Sequence, residues 1–282
     1  MKVIANPLEA YAHVSHWRSE GLRIGLVPTM GALHAGHLAL VERSVAECDI
    51  SIATIFVNPA QFAPHEDLSR YPRTLESDLD GLRSVKCDLV FVPQHESLYP
   101  SGFSTYIQPP AVAELLEGVC RPGHYRGVCT IVLKLFGILP ATVAYFGQKD
   151  FQQLTVIRHM VEDLNVNIQI QGCPTVRELD GLALSSRNRY LNSEQRETAL
   201  GLWKSLSLVQ QLVADGERSI ATLESAMHQT LTAGGIDRID YARVVHQETL
   251  TDLTELEPPA MALIAAHVGS TRLIDNLMLI PK

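Results

Sequence analysis

Residues 27–44 read VPTMGALHAGHLALVERS and set His34 and His37 on either side of Gly36, where an apolar, helix-like pattern begins. A helix start offers unpaired backbone N–H groups and the positive end of the helix dipole, and glycine lets backbone approach a ligand closely. Imidazoles at such a point add donors to a phosphate without a fixed charge as large as that of lysine. These residues alone leave three readings open: a phosphate site, a structural turn that carries histidines, and a metal site. The last is weakened by the lack of an acidic third ligand nearby.

Three further stretches could carry chemistry. In FGQKDFQQL (146–154), Gly147, Gln148, Lys149 and Asp150 follow an apolar run and open a helix. Lysine there can reach phosphate oxygens, and Asp150 can cap the helix or take a ribose hydroxyl; a plain cap beside a solvated lysine is the plainer alternative. In RELDGLALSSRNRYL (177–191), Ser185, Ser186 and Arg187 form a compact donor cluster suited to an anion, or else a turn with solvated arginines. In FVNPAQFAPHEDLSRYPRT (56–74), Asn58 and Gln61 put amides beside Phe62, which suits a small substrate with a carboxylate and hydroxyls, or a loop that closes a sheet.

The elements that must position these residues alternate. Strand-like runs cover 23–28, 50–58, 88–93, 142–147 and 166–172, and helical patterns cover 36–47, 73–85, 127–139 and 151–164. Such alternation implies βαβ units and a mostly parallel sheet, with ligands beyond the carboxyl ends of the strands. After about residue 175 the pattern changes to helices at 193–214, with Ser193 as N-cap, and at 218–232, then antiparallel-looking strands at 238–246, 261–269 and 271–280. The expected architecture is α/β: a Rossmann-like domain over 1–175 that binds nucleotide and substrate, and a smaller α+β domain over 176–282 that covers the active site.

Composition narrows the function. The 282 residues carry 23 basic and 31 acidic side chains, a net charge of −8, which disfavours nucleic acid as a partner. No apolar stretch is long enough to span a membrane, and the N-terminus lacks a signal-peptide pattern. The odd set of five cysteines, at 48, 87, 120, 129 and 173, has no C-x-x-C spacing and reads as reduced thiols in a cytoplasmic protein.

Taken together and in order, PTMGALHAGH, FVNPAQF, RPGHYRGV, FGQKDFQQL and LSSRNRYL resemble the pantoate–β-alanine ligase family, within the wider nucleotidyltransferase group that shares the His-x-Gly-His motif. The resemblance implies ATP as a substrate, with magnesium carried mainly by its phosphates and no dedicated protein metal site. It implies a pantoyl adenylate that the amine of β-alanine opens, giving pantothenate and AMP.

By position it implies that Met30, Gly31, Ala32, Leu33, His34, Ala35, Gly36 and His37 bind ATP, together with Gly147, Gln148, Lys149, Asp150, Val176, Leu184, Ser185, Ser186 and Arg187. His37, His34 and Lys149 would be catalytic, Gln61 and Gln153 would bind pantoate and β-alanine, and Asn58, His124 and Arg126 stand as second-tier candidates. A homodimer is expected. Leu184 stands where the family usually has methionine, a change that a backbone contact would survive.

The competing readings are a nucleotidyltransferase acting on a phosphorylated metabolite and a nucleotide-binding regulator without turnover. The stretch 64–72, with Pro64 and Pro72, is the expected mobile flap.

Overall fold

The computed structural model describes residues 1–63 and 66–281. It divides into two compact units, Met1–Gln148 with Gln153–Pro174, and Lys149–Gln152 with Thr175–Lys282. Pro64, in the expected flap, lies outside the described residues.

The first unit contains β1 (Lys2–Ile4), α1 (Pro7–Ser19), β2 (Ile24–Thr29), α2 (Ala35–Glu47), β3 (Ile50–Ile55), α3 (Leu75–Ser84), β4 (Leu89–Phe91), α4 (His95–Leu98), α5 (Glu117–Cys120), α6 (His124–Ile138), β5 (Val143–Gly147), most of α7 (Phe151–Asp163) and β6 (Gln169–Cys173). Six strands form a parallel sheet in the order β1-β4-β3-β2-β5-β6. Its central strands are continuous apolar runs because helices cover the sheet, as a parallel sheet requires. Val27, Ala53, Val90, Val143 and Tyr145 pack against Leu40 and Val41 of α2 and Leu79 and Leu82 of α3.

Several boundaries differ from the sequence reading. β3 ends at Ile55 rather than 58, because Asn58 caps a short 3-10 turn that opens with Pro59, which has no N–H to give a ladder. α6 starts at His124 rather than 127, since Gly123 at φ +83° turns the chain into a first turn too polar to register as apolar periodicity. β6 begins at Gln169 rather than 166. β1 and α1 carry almost no pattern: β1 pairs only with β4, and Ala10 and Val14 are the buried residues of α1.

The second unit packs α8 (Ser193–Ala214) and α9 (Ile220–Ala233) on an antiparallel sheet of β7 (Arg238–His246), β8 (Ala260–Val268) and β9 (Thr271–Leu279). Leu202, Leu206 and Val209 meet Leu223, Met227, Ala242 and Ile264 in its core. The N-cap of α8 is Asn192, not Ser193. Its side chain accepts from the N–H of Gln195 at 2.8 Å, and the Gln195 side chain accepts from the N–H of Asn192 at 3.1 Å. This reciprocal pair outcompetes a lone hydroxyl.

Candidate active site

The chain runs from β2 outward through β3 to β4, and β5 and β6 add on the other side of β2. The order of the strands therefore reverses between β2 and β5, and a ligand crevice opens beyond their carboxyl ends. The loop after β2 is 30–34, and Gly147 and Gln148 follow the end of β5. The sequence thus delivers two of its candidate stretches to the switch point.

The loop after β2 is held from behind. Gly31 at φ +79° and Ala32 at φ +52° are both left-handed, a region that an alanine adopts only under constraint. The constraint is Asp78 of α3, 2% exposed. Its Oδ2 accepts the Ala32 N–H at 2.9 Å, and its Oδ1 accepts the Leu33 N–H at 2.8 Å and the Thr74 hydroxyl at 3.1 Å. A side chain on Gly31 would meet Asp78 Oδ2 at 3.0 Å.

His34 is the N-cap of α2, its Nδ1 accepting the Gly36 N–H at 3.1 Å. A ring nitrogen that accepts an N–H carries no proton, so the neutral ring bears its hydrogen on Nε2. The His34 and His37 rings lie 4.1 Å apart between centroids, tilted by 39°. The expected supply of unpaired N–H groups is corrected here. Those of Gly31, Ala32, Leu33, Gly36 and His37 are already bonded to Thr29, Asp78, Asp78, His34 and His34. The donors that this segment offers are therefore chiefly side chains, backed by the dipole of a thirteen-residue helix.

Gln61 is 8% exposed, and the side chains of three residues, Asn58, Met30 and His124, bond it. Asn58 Nδ2 donates to Gln61 Oε1 at 3.1 Å and to the Gly127 carbonyl at 3.2 Å, and the Tyr99 hydroxyl donates to Asn58 Oδ1 at 2.8 Å. With its oxygen so engaged, Gln61 directs its Nε2 donor at the sulfur of Met30, 3.1 Å away. Its backbone carbonyl accepts from His124 Nδ1 at 2.8 Å, while Arg121 donates to His124 Nε2 at 3.2 Å. One ring nitrogen must donate and the other must accept, so the imidazole is neutral. Burial and then the Arg121 charge lower its pKa to about 4. Glu66 grips Arg121 through two bonds of 2.6 and 2.8 Å. Burial pushes the Glu66 carboxyl up, but the Arg121 contact outweighs it and the net shift is downward. Gly127 is required where α6 crosses the 59–61 turn, because a Cβ would sit 2.2 Å from the Ala60 carbonyl oxygen.

The structure thus joins Met30, Asn58, Gln61 and His124 in one connected group. Arg126 lies apart from it, stacked at 3.9 Å over the Tyr106 ring. Gln153 sits half-buried in the first turn of α7. The described end of the expected flap is tied down, by Glu66 on Arg121 and by buried Tyr71, whose ring meets Phe62 edge-on at 5.7 Å.

In the second unit, the Leu184 N–H donates to the Val176 carbonyl at 3.0 Å, so these two candidates are neighbours. Ser185 caps a 3-10 turn over Ser186–Tyr190, its oxygen accepting the Arg187 N–H at 3.3 Å, which leaves the Ser185 hydroxyl hydrogen free to donate elsewhere. Asn276 Nδ2 holds the Lys149 carbonyl at 2.8 Å, and its neighbour Asp275 pairs with Arg177 through two bonds of 2.7 and 2.9 Å.

Sequence reasoning missed Asp78, Tyr99, Arg121 and Asn276. Asp78 had a signal, since it shares the buried stripe of α3 with Leu79 and Leu82, where a carboxylate needs partners. The others act through folded contacts between residues distant in sequence, which no local pattern reports.

A parallel α/β sheet with a histidine-capped helix at its switch point and an oriented amide beside the same loop defines a Rossmann-like nucleotide-site protein. The chain belongs to the pantoate–β-alanine ligase family, whose pattern it matches over residues 2–278. It is 49% identical to the pantothenate synthetase of Moorella thermoacetica over 267 residues, covering 95% of this chain and 94% of that one. It is 48% identical to the pantothenate synthetase of Pseudomonas fluorescens over 281 residues, covering 99% and 98%. The crystal structure of pantothenate synthetase from Thermus thermophilus matches with a TM-score of 0.95 at 43% identity over 100% of both chains. That of a pantoate–β-alanine ligase from Francisella tularensis, complexed with β-γ ATP and β-alanine, matches with a TM-score of 0.80 at 34% identity, covering 99% of this chain and 97% of that one.

Proposed function

We propose that the protein condenses pantoate with β-alanine at the expense of ATP. A carboxylate oxygen of pantoate attacks the α-phosphorus, the bond to the β-phosphate oxygen breaks, and diphosphate leaves. The amine of β-alanine then attacks the acyl carbon, AMP leaves with the bonding electrons, and the amine proton is lost. The first step needs no base, because the carboxylate is ionised near neutrality. It needs charge stabilisation at the phosphates, a task suited to His37, the Nε2–H of His34, Lys149, Ser185, Ser186 and Arg187. The second step needs proximity, which Gln61 and Gln153 would supply by holding pantoate.

The observation that carries this reading is the 3.1 Å contact from Gln61 Nε2 to Met30 Sδ. It sets the amide suited to the acid substrate against the loop suited to the nucleotide. Among the described residues no three His, Cys, Asp or Glu side chains gather as a metal set, and Asp78 is committed to backbone donors. The family reading has magnesium enter with the phosphates, as part of the substrate MgATP. Among the described residues no helix is long and apolar enough to cross a membrane. Cytoplasmic residence and a homodimer complete the proposal and follow from the family reading.

The test omits β-alanine. Protein, ATP, magnesium, pantoate and labelled diphosphate should return label to ATP only when pantoate is present; exchange that ignores pantoate removes the adenylate mechanism.

A further inference from the structure

Lys149 packs within the second unit, in the short segment Lys149–Gln152, and β9 supplies what holds it. Successive side chains of a strand point to opposite faces. Leu273 and Leu279 join the core on one face of β9, so Asp275 interrupts that apolar stripe and Asn276 lies on the other face. Their exposures are 3% and 6%, and polar side chains so buried need partners. Asp275 has Arg177, whose guanidinium also stacks 4.0 Å over the Trp203 ring of α8. The same ion pair grips the backbone of Asn276 at both ends: Asp275 Oδ1 accepts its N–H at 2.8 Å, and Arg177 Nη2 donates to its carbonyl at 3.2 Å. From that fixed base Asn276 extends Nδ2 to the Lys149 carbonyl at 2.8 Å. Arg177 in turn bridges to Ala183, in the hairpin whose ends are Val176 and Leu184. Gly181 closes that hairpin against α8, where a Cβ would meet Trp203 at 1.9 Å. One dipeptide of β9 therefore sets the register of both the Lys149 backbone and the hairpin that leads into Ser185–Arg187.

We propose that Asn276 is a positioning residue for the reaction at the phosphates. By holding the Lys149 carbonyl it fixes the peptide plane from which the lysine side chain departs, and so sets where the ammonium arrives. The assignment rests on the ligase reading above, in which Lys149 stabilises charge on ATP. Lysine is a point charge on a flexible stem, so its placement depends on the backbone that carries it. A misplacement of about 1 Å costs on the order of a hundredfold in rate. Asn276 itself touches no phosphate on this view; its effect passes wholly through Lys149. Asp275 and Arg177 make the arrangement stiff, because the amide of Asn276 is anchored before it reaches the carbonyl.

The experiment is a double-mutant cycle on pantoate-dependent diphosphate exchange at saturating ATP and pantoate. It compares wild type, Asn276→Ala, Asn276→Leu, Lys149→Ala, and each Asn276 change combined with Lys149→Ala. Asn276→Leu keeps the volume and removes the donor, which covers the case in which the alanine variant unfolds; urea unfolding gives the folded fraction by which each rate is corrected. Each Asn276 change alone should lower the rate about tenfold, what one neutral hydrogen bond contributes. Lys149→Ala should lower it about a hundredfold or more. In the Lys149→Ala background the Asn276 changes should cost less than about twofold further, because the side chain they misplace is already gone. A repeated tenfold loss in that background overturns the assignment, since Asn276 would then support the unit and not the lysine. An unchanged rate in folded Asn276→Leu overturns it too, as does an unchanged rate in Lys149→Ala. Absence of pantoate-dependent exchange in the wild type overturns the ligase reading instead, so the two failures are distinct.

Discussion

Asp78 bonds the backbone of Ala32, its Oδ2 2.9 Å from an N–H whose residue is held at φ +52°. The carboxylate thus compensates a strained loop from another helix. Its second oxygen takes the next N–H, at Leu33, so both carboxylate oxygens are committed to this loop.

Asp78→Asn removes one acceptor and sets an NH₂ against a backbone N–H. Stability should fall by about 1–3 kcal/mol, the cost of a buried unsatisfied group. The KM for ATP should rise by about tenfold or more, while the KM for pantoate stays near wild type. Equal rises in both constants would mean that Asp78 supports the unit as a whole and not this loop.

The two histidines should separate by role. His34→Asn keeps a cap acceptor for the Gly36 N–H, whereas His34→Ala loses it, so the alanine variant should unfold about 1 kcal/mol more easily. Both should lose turnover, since both lack the Nε2 donor. His37→Ala should lower kcat by about a hundredfold or more while ATP binding changes little. Isothermal titration against ATP and steady-state rates decide the point; a large loss of binding at unchanged kcat would reverse the assignment.

The sequence made the frame legible and the bracing invisible. The alternation of strand and helix from Arg23 to Cys173 announced a parallel sheet, and the position of His34 just ahead of the LALVERS helix announced a helix start at its edge. What could not be read is how backbone donors are spent. The two histidines suggested free N–H groups, yet His34 itself consumes that of Gly36, and Asp78, dozens of positions away, consumes two more. Local types predict which groups can bond; only the packing of α3 against the loop decides which ones do. Gln61 shows the same division. Its type suggested a substrate amide, but the direction of that amide depends on Tyr99 acting through Asn58.

That chain gives a prediction of its own. Tyr99→Phe removes the donor that fixes the oxygen of Asn58, and Asn58 can then turn its amide and release Gln61 Oε1. The KM for pantoate should rise several-fold, about what one neutral hydrogen bond contributes, with the KM for ATP unchanged. Asn58→Ala should exceed it, since the partner of Gln61 is then gone altogether. If Tyr99→Phe leaves the KM for pantoate unchanged, the orientation of Gln61 does not depend on this hydroxyl.

The neutral His124 makes stability depend on pH in a defined window. Burial, and secondly the Arg121 charge, lower its pKa to about 4, against about 6.5 in an unfolded chain. Between those values the unfolded chain binds a proton that the folded one excludes. The contribution is therefore fully present above about pH 6.5 and is lost as pH falls toward 4, on the order of 3 kcal/mol at the limit. Glu66, whose carboxyl is shifted below its ordinary value, acts in a lower window, so the two do not coincide. His124→Gln keeps a donor and an acceptor but cannot take the proton. Its stability should be lower than wild type at pH 7 and should converge on wild type as pH falls to about 4.5, read from urea unfolding at several pH values. A constant gap between the two proteins across that range would mean that the folded protein protonates this imidazole as readily as the unfolded chain does.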